Sequence, residues 1–215
     1  MAFSPIFQRP FSATFDRRAA AAQNSITLTP VADTWLRQIQ PARNYGLTQI
    51  YGESDVYLYR FDLSSLSGSC VSVTFSLVAT VLRTTNRTAV LYKLAAANSD
   101  WLEGVQNNAT AGVGDPTWSH KDFGNSVAWA GSAGCQTAGT DYINTSFGTL
   151  TYLANTPVPT RVVLTLNASG ITAVGGAFGT TLNLMLNCIG GGLTTAMYAR
   201  EATAENRPQL TILYT

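Results

Sequence analysis

Apolar and polar residues alternate along most of the chain from Ile26 onward, with a period of two. That period, carried by β-branched and aromatic residues, predicts strands. The clearest stretch is 56–63. Val56, Leu58, Arg60 and Asp62 fall on one side, and Tyr57, Tyr59, Phe61 and Leu63 on the other. The second face is wholly apolar and is expected in the core. Residues 70–81 place Val71, Val73, Phe75, Leu77 and Ala79 on one face, and residues 89–95 set Ala89, Leu91 and Lys93 against Val90, Tyr92 and Leu94. The closing stretch 209–214 alternates again behind Pro208, at a strand start where a missing N–H is tolerated. Further strands are expected at 25–29, 33–40, 49–52, 160–166 and 181–189. Turns are expected at 41–46, where Asn44 and Gly46 break the pattern, at 64–69 and at 84–87. The Asp62 side chain is suited to cap the 64–69 turn. Residues 98–159 form a long irregular region, which in a compact domain carries function or structure of its own. Strong helical periodicity is absent. Many short strands separated by turn signals predict an all-β sandwich of the jelly-roll kind over residues 25–215.

Residues 1–24 read differently. Pro5 and Pro10 forbid a continuous helix, and Phe3, Phe7, Phe11 and Phe15 recur every four residues. In an extended chain, residues separated by even numbers share a face, so the four rings line one side of an N-terminal arm flanked by Arg9, Arg17 and Arg18. Such a face is a liability in water. It serves either as an anchor in a groove of a partner or neighbouring subunit, or as a strap across the protein's own core.

Composition narrows the function classes. A net charge of +1 gives no general pull toward nucleic acid or an anionic membrane. Eleven of the thirteen basic residues are Arg, suited to fixed bidentate pairing. The chain is only 12% charged, yet Arg200, Glu201, Glu205 and Arg207 crowd together before the closing strand. They form either an ion network that satisfies itself or a polar binding cluster. Cys70, Cys135 and Cys188 are far apart, without zinc-ligand spacing. One disulfide or buried free thiols fit the odd count. No segment approaches the ~20 apolar residues of a membrane span. The N-terminus lacks the apolar stretch of a signal peptide, as expected of a protein made in a host cytoplasm and released on a particle.

Four stretches, ADTWLRQIQPARNYG (32–46), YLYRFDLSSL (57–66), WLEG with PTWS (101–104 and 116–119) and MYAREATAENRPQLTILY (197–214), occur in this order. Together they resemble the DNRLRE, or disaggregatase-related, β-sandwich domain family, which includes carbohydrate-binding module family 96. The matching positions are Asp33, Asn44, Tyr45, Gly46, Phe61, Asp62, Leu63, Ser64, Trp101, Glu103, Thr117, Trp118, Arg200, Glu201, Arg207, Pro208 and Leu210. The resemblance covers residues 25–215 and implies a jelly-roll sandwich. It leaves function open, because such domains sit on secreted enzymes, cell-surface proteins and phage particles.

Catalytic signals are sparse. His120 is the single histidine, in a loop without a nucleophile-elbow sequence. Glu103 and Asp115 flank the tryptophan loop as the acids nearest to a glycosidase pair, with loop hydrogen bonding as their simpler role. A calcium site drawn from Asp33, Asp55, Asp62 or Asp141 has only a weak signal, since no DxDxDG-like loop is present. Trp101 and Trp118 are expected to pack, whereas Trp129, in the Gly-rich AWAGSAG segment, is the candidate for an exposed platform under a sugar ring. Four Asn-x-Ser/Thr sequons, at Asn86, Asn108, Asn144 and Asn167, carry no weight in a chain so rich in Asn and Thr. The reading that follows is a non-enzymatic virion protein: a phage capsid decoration (cement) protein, a homo-oligomer such as a trimer, whose arm grips the major capsid protein or a neighbouring copy. The alternative is an extracellular module or adhesin that binds a polysaccharide.

Overall fold

The computed structural model describes residues 22–51, 55–188 and 196–215. The expected arm residues Phe3, Phe7, Arg9, Phe11, Phe15, Arg17 and Arg18 lie outside the described residues. The strands are β1 (Asn24–Leu28), β2 (Ala32–Leu36), β3 (Arg43–Asn44), β4 (Ile50–Tyr51), β5 (Val56–Asp62), β6 (Cys70–Ala79), β7 (Arg87–Lys93), β8 (Ala109–Thr110), β9 (His120–Asp122), β10 (Val127–Ala128), β11 (Gly148–Tyr152), β12 (Thr160–Thr165), β13 (Thr181–Asn187), β14 (Met197–Tyr198) and β15 (Gln209–Tyr214). One helix, α1 (Ala168–Gly175), precedes β13. It is too short to cross a membrane, and no described helix is long and apolar enough to do so.

The pairing is nested. β7 pairs with β11, β6 with β12, β5 with β13 and β1 with β15, all antiparallel. A chain folded back on itself in this way and rolled into two sheets is a jelly roll. The first sheet contains β1, β15, β6 and β12, with the short β14 and β4 attached; the second runs β11-β7-β13-β5-β2. The expected inner face of β5 is confirmed, with Tyr57, Tyr59, Phe61 and Leu63 all buried between the sheets. They meet Phe75, Leu77, Leu210 and Ile212 of the facing sheet in one core.

Four local departures have physical causes. β2 ends at Leu36, short of residue 40, because Arg37 and Gln40 close a turn through backbone and side-chain hydrogen bonds of 3.2 and 2.6 Å. Val71 does not join the inward face of β6. The β15 register passes from Leu213 opposite Ser72 to Tyr214 opposite Cys70, and the extra residue is 40% exposed at this bulge. β11 lies inside the stretch expected to be irregular; its Leu150 and Tyr152 are buried while Thr149 and Thr151 face out. Helix α1 is started by Asn167, whose side chain accepts from the Gly170 amide at 3.0 Å. None of the three cysteines forms a disulfide, and Cys135 and Cys188 are buried.

The outer face of the second sheet is also covered. Leu36, Val56, Leu58 and Met185 point away from the inter-sheet core and form a second cluster with Leu94, Trp101, Trp118, Trp129, Cys135 and Tyr142. The irregular region is therefore a packed layer on the sandwich.

Candidate functional site

The outer layer is held by polar anchors. Asp141 is buried, and its carboxylate accepts from the amides of Gly131, Ser132 and Thr137 at 2.8–2.9 Å and from Asn98 Nδ2 at 2.8 Å. Asp115 accepts from the Val105 and Gly112 amides at 2.9 and 2.8 Å. Asn183 Oδ1 receives both Trp101 Nε1 and Arg60 Nε at 3.0 Å, and Arg60 stacks over the Trp101 ring at 4.9 Å. These bonds satisfy buried polar groups that a loop layer otherwise strands.

The expectation for Trp129 is corrected. Its ring is only 4% exposed, packs in the second core and donates from Nε1 to the Thr117 carbonyl at 2.9 Å. With its faces covered by neighbours it offers no platform to a sugar. Trp101 and Trp118 are buried, as expected.

A second polar centre joins the opening and closing parts of the chain. Asp33 lies on the inward side of β2, opposite Tyr59 of β5, and is fully buried. Its amide donates to Glu103 Oε1 at 2.9 Å, and its Oδ2 accepts from the Arg200 amide at 2.9 Å. Arg200 grips Glu103 with two hydrogen bonds, Nε to Oε1 at 2.8 Å and Nη2 to Oε2 at 2.5 Å, and also reaches Glu201 Oε1 at 2.9 Å. One oxygen from each of Asp33, Glu103 and Glu201 can be chosen so that all lie within 4.8 Å of one another. The loop after β3 completes the frame. Asn44 Nδ2 donates to the carbonyls of Glu103 and Pro116, and its Oδ1 accepts from the Gly46 and Gln106 amides. Gly46 is required here, because a Cβ would sit 2.2 Å from the Glu103 carbonyl oxygen.

Burial dominates the electrostatics of this centre. It drives the Asp33 carboxyl well above the ordinary carboxylate range, with Glu201 and Glu103 adding to the rise. Tyr51 and Tyr59 are raised for the same reason, with the Asp33 charge next in effect. Glu201 is raised by burial and then by Glu103. Burial opposes the Arg200 charge, but Glu103, Glu201 and Asp33 outweigh it and hold the guanidinium more firmly protonated. The Tyr51 hydroxyl is close enough to Asp33 to moderate its rise, yet it makes no hydrogen bond of good geometry. Among the described residues no well-aligned hydrogen bond reaches Asp33 Oδ1, Glu201 Oε2 or the Tyr51 and Tyr59 hydroxyls, all of them buried.

Other expected sites are dispersed. Of the four aspartates weighed for calcium, only Asp33 joins this cluster. Asp55 accepts from the Gln38 amide, Asp62 caps its turn through the Ser64 amide at 2.9 Å, and Asp141 is occupied by its loop. His120 Nδ1 lies 3.0 Å from Ser119 Oγ, which donates to the Pro41 carbonyl. Glu205 accepts from Thr203 Oγ1 and Arg207 Nε donates to the Ala202 carbonyl, so among the described residues Arg200 and Glu201 pair directly while Glu205 and Arg207 are held by local bonds. The sequence singles out Arg200 and Glu201 but not their meeting with Asp33 and Glu103; it marks Tyr59 as core alone and places Tyr51 only within a short strand.

Two cavities share Lys93 and Ile143. One, of about 440 Å³, is lined by Thr145, Phe147, Ser169 and Thr172; the other, of about 320 Å³, by Ser99, Thr181 and Asn183. No protein-family model matches the chain, and no curated protein matches it.

Proposed function

We propose that this chain is a non-enzymatic structural protein of a virus particle, a phage capsid decoration (cement) protein. Its sandwich of the DNRLRE kind sits on the shell, and its N-terminal arm binds the major capsid protein or a neighbouring copy. The observation that carries this reading is the spacing of the phenylalanines ahead of the sandwich. Among the described residues the inter-sheet core is built from side chains between Ile26 and Tyr214, and β1 is an edge strand. Phe3, Phe7, Phe11 and Phe15 recur every four residues, a period that sets all four rings on one face of an extended arm. Buried on a partner at ~25 cal/mol per Å², four rings contribute several kcal/mol before ordering costs, and copies repeated across a shell act together. The family resemblance supports the body's part in this reading, since Asp33, Asn44, Glu103 and Arg200, from three of the four matching stretches, meet at one joint.

Deleting residues 2–18 tests the mechanism. The truncated protein is expected to keep its circular dichroism and melting temperature and to lose attachment to particles. Normal attachment by the truncated protein rejects it.

The carbohydrate-binding alternative is favoured by the paired cavities, where a lysine, several hydroxyls and the Phe147 floor suit a polar ring with an apolar face. On that reading Thr172→Trp fills the larger cavity and abolishes binding on a glycan array, while particle attachment is unaffected.

A further inference from the structure

The joint of Asp33, Glu103, Arg200 and Glu201 is short of positive charge. Among the described residues it brings together three carboxylates and one guanidinium, so two negative charges remain when all are ionised. Arg207 acts on Glu201 more weakly, with its own Nε committed to the Ala202 carbonyl. Lone pairs also remain. Among the described residues no well-aligned hydrogen bond reaches Asp33 Oδ1 or Glu201 Oε2, and Glu103 Oε2 accepts from Arg200 alone. A second, separate sign comes from outside the acids. The Tyr51 hydroxyl is fully buried against Asp33 without a well-aligned hydrogen bond, and the Tyr59 hydroxyl, on β5 opposite Asp33, is fully buried with no partner among the described residues. Native proteins rarely leave buried polar groups unpaired, and each such group needs an explanation.

We propose that Asp33, Glu103 and Glu201 bind a divalent cation of the calcium class, with the Tyr51 hydroxyl beside it. The spacing fits: oxygens within 4.8 Å of one another are in reach of one ion at the 2.3–2.6 Å typical of calcium–oxygen bonds. The ligand chemistry fits as well, because carboxylate and phenol oxygens without nitrogen or sulfur select a hard cation. A charge of two balances the site. Glu201 and Arg200 keep side-chain exposures of 16% and 30%, which gives water and the ion a way in. The ion would tie β2, the tryptophan layer and the segment before β15 together.

The test uses the full chain after exhaustive chelation. Terbium is added and its emission sensitised by tyrosine is followed; calcium is then titrated in competition, and melting is recorded with calcium or with magnesium. Terbium emission saturating at one ion per chain, displaced by calcium, is expected. So is a rise in melting temperature of about 5–10 °C at calcium about 100-fold above its dissociation constant. Glu201→Gln should stay folded in chelator and lose both responses, whereas Asp62→Asn, a remote exposed carboxylate, should keep both. A wild-type chain that gives neither response overturns the site, and the Asp33 carboxyl is then satisfied by a proton. Equal responses in Glu201→Gln, or a response to magnesium alone, overturn it too. Attachment to particles plays no part in these measurements, so this proposal and the arm mechanism fail separately.

Discussion

Replacing Trp129 by alanine separates a packed tryptophan from a ligand platform. The ring is 4% exposed in the layer covering the second sheet, against residues of the Leu36, Val56 and Met185 cluster. A buried tryptophan hides roughly 150–250 Å², worth about 4–6 kcal/mol at ~25 cal/mol per Å². That area term is an upper bound, and measured Trp→Ala costs in cores run to about 3–5 kcal/mol. Losing the Nε1 donor to the Thr117 carbonyl adds about 1 kcal/mol. The expected loss is therefore about 4 kcal/mol, a fall of about 8–16 °C in melting temperature for a chain of this size. Calorimetry with near-ultraviolet circular dichroism reads both stability and tryptophan packing. Trp129→Phe should lose about half as much, since it keeps a ring but no donor. A fall below about 2 °C with an unchanged near-ultraviolet spectrum refutes the burial argument and restores the platform.

Three further outcomes follow from the geometry. Gly46→Ala should cost at least ~2 kcal/mol in urea unfolding, because the new methyl meets the Glu103 backbone and backbone cannot swing aside; a neutral result would show that the loop after β3 yields freely. In the native protein Ellman's reagent should modify at most Cys70, which is partly exposed, and reach Cys135 and Cys188 only on unfolding; rapid reaction of all three thiols contradicts the packing. Asp100 and Asp122 are held below the ordinary carboxylate range, Asp100 chiefly by the Lys121 hydrogen bond and Asp122 chiefly by the Gly114 amide. A depressed folded pKa gives stability that is present above the unfolded value and lost as pH falls through the folded one. The Gly114 amide resonance should therefore titrate with a midpoint below about 3.9, and a midpoint above that value negates the assignment.

Period-two alternation was enough to find β5, β6 and β15 and the inward face of β5, because a half-buried strand writes its two environments directly into successive residues. It also supplied the Asp62 cap, a contact between residues two apart. β11 carried the same signal in five residues but was hidden within a Gly-rich region, and α1 showed little beyond its Asn167 cap. Only the tertiary structure decided the rest. Trp129 looked exposed beside glycines, yet those glycines let the loop turn back over the second sheet and bury it. Arg200 has Glu201 next to it in sequence, yet its bidentate partner is Glu103, 97 residues away. Local pattern records which face of an element is dry. It does not record which distant element dries it, because that depends on how strands of opposite ends of the chain are laid side by side.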